Sequence, residues 1–103
     1  MDKSNIIRDL IIFYVTENYK KYINDNNLKK IEENNIPTVI DSLYSEKKSD
    51  IKKFIKMSLK KIQKDEYIGD LVVNNICMEV FSDDIVCKQR LIEEIKLFQN
   101  SLD

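Results

Sequence analysis

Few side chains in this sequence are equipped for chemistry: the thiols of Cys77 and Cys87, four adjacent acid pairs, five tyrosines, and a lysine row from Lys52 to Lys64. Histidine is absent, which removes the usual general base near neutral pH and the commonest nitrogen ligand for a metal. A nucleophilic Cys77 would need a neighbour that lowers its pKa. Both cysteines instead sit in apolar surroundings and read as reduced, buried thiols. The pairs Glu32-Glu33, Asp65-Glu66, Asp83-Asp84 and Glu93-Glu94 lie at helix ends or on exposed faces and read as solvated. In "KDEYIGD", placing Gly69 at the sixth position of a calcium loop leaves only Glu66 at a ligating position. A single glycine builds neither a phosphate cradle nor a dinucleotide fingerprint. The expectation is a protein that is not an enzyme, with no catalytic residue, no cofactor and no metal site.

The lysine row has more content. Lys52, Lys56, Lys60 and Lys64 repeat at i, i+4, and Lys53 and Lys61 widen the face opposite the apolar stripe Ile51, Phe54, Ile55, Leu59 and Ile62. Such a face suits phosphate backbones, anionic membranes or acidic proteins. Two observations weigh against direct base readout. The row has no arginine or asparagine, and its one aromatic, Phe54, is placed on the core side. Lysine also outnumbers arginine 15 to 2, with 16 isoleucines, 10 asparagines and no alanine, a pattern that AT-rich codons produce without selection for phosphate. Distribution is more telling than total: residues 46–64 carry 8 basic and 2 acidic side chains, residues 65–103 carry 3 and 9. A solvated face, or one paired with the acidic half that follows, is the bland reading; nucleic acid is the sharp one.

These residues need elements to hold them. With 103 residues, 43% of them apolar, the chain has room for one core and reads as a single helical domain. From Ser4 as N-cap, Ile7, Leu10, Ile11, Tyr14, Val15, Tyr19, Tyr22 and Ile23 fit a helix, although residues 10–15 taken alone also suit a buried strand. "NDNN" ends that element, Leu28 and Ile31 suit a short turn, and "ENN" breaks it. Pro37 opens a helix carrying Ile36, Val39, Ile40, Leu43 and Tyr44. Ser49 or Asp50 then caps a separate lysine-bearing helix, Asp70 caps "LVVNNICMEVF", and Ser82 or Asp83 caps a last one. The helix after Asp70 is apolar nearly all round and belongs at the centre of a bundle or under a partner. Tyr14, Tyr19, Tyr22 and Tyr44 read as core edge. The fold class is all-α, a bundle of four to six helices. Its expected core is Ile7, Ile11, Val15, Ile40, Leu43, Ile51, Ile55, Leu59, Ile62, Val72, Ile76, Val80, Leu91, Ile95 and Phe98.

No apolar run approaches the roughly 20 residues of a membrane span, and the first residues lack the pattern of a signal peptide. An intracellular location, cytoplasmic or nuclear, is expected.

Residues 48–102 resemble the small all-helical subunit shared by the SAGA-type histone deubiquitinase module and the nuclear mRNA-export complex. The likeness lies in the lysine-bearing helix, "GDLV" at Gly69 to Val72, and "RLIEEIKLF" at Arg90 to Phe98. The family's proline before the last helix is replaced here by Ser82 or Asp83, and its glycine in the preceding helix is missing. The resemblance implies helices that wrap a long helix of a scaffold protein, with Leu71, Val72, Leu91, Ile95 and Phe98 facing it. The functional expectation is therefore an adaptor subunit binding a larger protein through an apolar helix face or groove. Nucleic acid on the lysine face, or a second copy of the chain, are the other partners considered.

Overall fold

Ile7, Ile11, Val15, Tyr19 and Ile23 recur every four residues, so a helix puts all five on one side. They are buried along α1 (Lys3–Asp25), a computed structural model showing residues 10–15 as continuous helix. The structure describes residues 3–25, 31–62, 69–82 and 84–101. Ser4 is not the cap: the helix is already under way at Lys3. Leu28 lies outside the described residues. "ENN" does not break the chain but winds it into a 3₁₀ turn, Glu33–Asn35, with the Asn35 amide donating to the Glu32 carbonyl at 2.8 Å.

The largest departure is α2, one helix from Ile36 to Ile62 where the sequence reads as two. Ser49 and Asp50 are exposed residues in its middle. Their cap chemistry loses to register. Tyr44 and Ile51 are seven residues apart, two helical turns, so the stripe Ile36, Ile40, Leu43, Tyr44 continues in phase into Ile51, Ile55 and Leu59. Burying each such side chain stabilises by about 1.5 to 3 kcal/mol. The helix propensity lost at a serine or aspartate is about 0.5 kcal/mol.

The third helix, α3 (Asp70–Ser82), starts where Gly69 offers its carbonyl to the amides of Val72 and Val73 at 3.1 and 3.3 Å. Ser82 does not cap the next helix; it closes α3, its hydroxyl donating to the Met78 carbonyl at 2.7 Å. Asp83 lies outside the described residues. The cap of α4 (Ile85–Asn100) is Asp84, whose Oδ1 accepts from the Cys87 amide at 2.9 Å. Among the described residues there are four α-helices and no strand, an all-α bundle.

One hydrophobic cluster joins all four helices, and α1 and α2, not α3, are the helices packed firmly against all the others. Twelve of the fifteen expected core residues are buried in it. Phe98 is only half-buried at its edge. Ile62 is exposed as the last residue of α2, and Val72 is exposed because α3 turns Val73, Ile76, Cys77 and Val80 inward.

A polar clasp closes the open end of the bundle. The buried Gln99 of α4 accepts at Oε1 from the Tyr19 hydroxyl (2.8 Å) and from the Ile31 amide (2.7 Å). Its Nε2 donates to the Ile31 carbonyl at 3.2 Å. One carboxamide thus satisfies both backbone groups of Ile31 and the phenol of α1.

Candidate functional site

On α2 the lysine row divides. Lys53, Lys60 and Lys61 are exposed, Lys52 and Lys56 are half-buried on the side of α3, and Lys64 lies outside the described residues. Among the described lysines of the row only Lys56 meets an acid, Asp70 at 3.3 Å. Lys52, Lys53, Lys60 and Lys61 have no ion pair among the described residues. Among the described residues the acidic half thus gives the row one contact, Asp70 to Lys56. Asp84 and Glu79 are taken by Arg8 (2.6 and 3.0 Å), Asp41 by Lys88 (2.8 Å) and Asp9 by Arg90 (2.9 Å). Phe54 does not point fully inward either. It is half-buried at the seam with α1, against Tyr14 at 5.2 Å and Phe13 at 6.1 Å between ring centres.

The five positions that the resemblance implies do not share a face. Leu71 and Val72 are exposed on α3, by 72% and 43%. Leu91 and Ile95 are fully buried, because with Cys87 and Gln99 they form the inner stripe of α4. Phe98 meets Tyr19 edge-on at 6.4 Å beneath the Lys20 ammonium. Met78, 64% exposed, is the residue that sequence reasoning missed. Its signal was present: an apolar helix that turns one stripe inward leaves the opposite stripe outside. Met78 stands seven residues from Leu71, on the same side.

Between this outer stripe of α3 and α2 runs an open groove of about 410 Å³. Met78 and Phe81 form its apolar part, and Lys48 and Lys52 edge it on the α2 side. Phe81 is held by Tyr44, with ring centres 5.0 Å apart. Other exposed apolar side chains are spread over three helices, among them Met57, Ile85, Val86 and Leu97.

The ionisable interior is built for packing. Cys77 and Cys87 are free and buried. Burial, then the charge of Asp84, pushes the Cys87 thiol up to about 11. Burial raises Cys77 as well, against the opposing pull of Lys52 and Lys56. Neither thiol is a thiolate near neutral pH. Tyr19 is pushed up to about 12 by burial and then by Tyr22. Tyr44 is also raised, chiefly by burial, and its hydroxyl has no hydrogen-bond partner of good geometry, although the Cys87 thiol lies close enough to couple with it.

The fold and this surface define a small all-helical protein with an apolar, lysine-edged outer helix; no described helix is long and apolar enough to cross a membrane. Compared with protein-family models, curated proteins and solved structures, the chain matches none.

Proposed function

We propose that the protein is a helical adaptor or subunit that performs no catalysis itself and binds a larger protein through the outer face of α3. The observation that carries this reading is the exposed stripe of Leu71, Val72 and Met78, three large apolar side chains on one short helix. Large apolar side chains left exposed together on one helix are a usual mark of an interaction site. The likeness of Gly69 to Val72 to a scaffold-wrapping subunit points the same way. The test is affinity capture of the tagged chain from its native cells, alongside the double variant Leu71→Asp, Met78→Asp. A co-purifying protein lost in the double variant, with thermal melting unchanged, is the expected result. Capture of no protein, or capture indifferent to the double variant, overturns the reading.

A second reading has its own observation: Lys52, Lys53, Lys60 and Lys61 carry charge that no described acid neutralises. Nucleic acid bound on that face would lose affinity steeply with salt, by a logarithmic slope of about 0.7 to 0.9 per phosphate contacted. Replacing Lys52, Lys53 and Lys60 by glutamine would flatten the slope.

A further inference from the structure

We infer that the occupant of the α3 face is an amphipathic helix with acidic residues along one edge of its apolar stripe. The inference rests on the adaptor reading above and specifies the chemistry of its partner. Leu71, Asn75, Met78 and Ser82 advance by four, three and four residues, so they share one side of α3, and the groove opens beside Met78 and Ser82 at its C-terminal end. The described residues offer no strand edge for an extended peptide to join. An all-helical groove is matched by a helix.

Charge sets the edge. Lys48 and Lys52 flank the groove on the α2 side without an ion pair among the described residues. Glu79, the one acid lining it, is engaged by Arg8 at 3.0 Å. Lys56, one turn beyond Lys52, is already paired with Asp70. The groove thus presents the apolar surface of Met78 and Phe81 with two ammonium groups, unpaired among the described residues, along one side. A neutral or basic segment laid there would strip water from both lysines and return nothing. Carboxylates at matching positions would pair with them at a partly solvated rim, where charge fixes register and partner choice more than affinity. Nucleic acid fits this surface poorly, because its exposed member is Met78 and Phe81 lies half-buried against Tyr44, so no aromatic face is free for stacking bases.

The experiment uses the whole chain and three synthetic amphipathic helices that share one leucine stripe, flanked by glutamate, glutamine or lysine. Calorimetric titration is expected to rank them glutamate, glutamine, lysine, with the first binding about tenfold or more tighter than the last, a gap of about 1.4 kcal/mol per tenfold. The ranking should reverse in the Lys48→Glu, Lys52→Glu variant, and all binding should vanish in Met78→Asp. Both sets of changes lie on exposed or half-exposed positions, so the variants should fold, with circular dichroism melts as the check. Equal binding of the three helices, all lost in Met78→Asp, overturns the acidic edge and leaves the adaptor reading standing. Binding that survives Met78→Asp overturns the location. Sedimentation as a dimer that Met78→Asp dissolves assigns the face to a second copy, and displacement by a single-stranded oligonucleotide assigns it to nucleic acid. Either overturns the inference, as does failure of all three helices to bind; the adaptor reading itself falls only with the cellular capture.

Discussion

Asp84 and Arg8 together join three helices. Oδ1 of Asp84 caps α4 through the Cys87 amide, and its Oδ2 accepts from Arg8 Nε of α1 at 2.6 Å, while the same guanidinium reaches Glu79 of α3. Burial pushes this carboxyl up, but the Arg8 and Cys87 hydrogen bonds outweigh it and hold the group below the usual carboxylate range. A folded value below the unfolded one stabilises at high pH. The contribution is therefore complete above about pH 5 and fades as the pH falls through and below the unfolded value of about 4. Asp84→Ala should cost about 2 to 3 kcal/mol, from a lost cap and an arginine left with only Glu79. Asp84→Asn keeps a cap and should recover about 1 kcal/mol of that. Urea titrations at neutral pH and near pH 3 check both, and the asparagine variant should lose less stability between them than the parent. In the sequence, Asp84 looked like half of a solvated acid pair. What distinguishes it is an arginine 76 positions away, which no local pattern reports.

At the scale of elements, the continuity of α2 makes the sharpest claim. If Ser49 began a new helix, proline there would be tolerated at the first turn. Inside one helix it removes a hydrogen bond and clashes with the preceding turn, so Ser49→Pro should destabilise by about 3 kcal/mol or more, read as a lowered denaturation midpoint. Ser49→Ala should be neutral or slightly stabilising. The apolar periods of α1, α2 and α4 were legible because each has one buried stripe, and the spacing of Ile51, Ile55 and Leu59 is unambiguous. The join between Tyr44 and Ile51 is equally visible as a phase match of seven, but the cap chemistry of Ser49 and Asp50 competes with it as a signal for a break. In α3 the difficulty is different. Apolar residues on every side leave no stripe to orient the helix, so the sequence places Val72 in the core with Ile76 and Val80, whereas Val72 is exposed and only the other two are buried. Only packing against α1 and α2 decides which side of α3 faces solvent.

Across the whole molecule, the core keeps both thiols protonated and covered. An aromatic disulfide reagent should therefore leave Cys77 and Cys87 unmodified in the native protein and label both in denaturant. In intermediate denaturant the labelling rate should follow the global unfolding constant, since the two lie on different helices of one shared core. Fast labelling of either under native conditions would contradict this packing. The clasp at Gln99 has a consequence in time as well as in space. Synthesis proceeds from the N-terminus, so the segment between α1 and α2 is made long before the carboxamide that anchors it, 68 positions downstream. While the chain is still growing, the Ile31 amide and carbonyl and the Tyr19 phenol are hydrogen-bonded to water in place of Gln99. The clasp of Tyr19, Ile31 and Gln99 can close only after the last turn of α4 has been made.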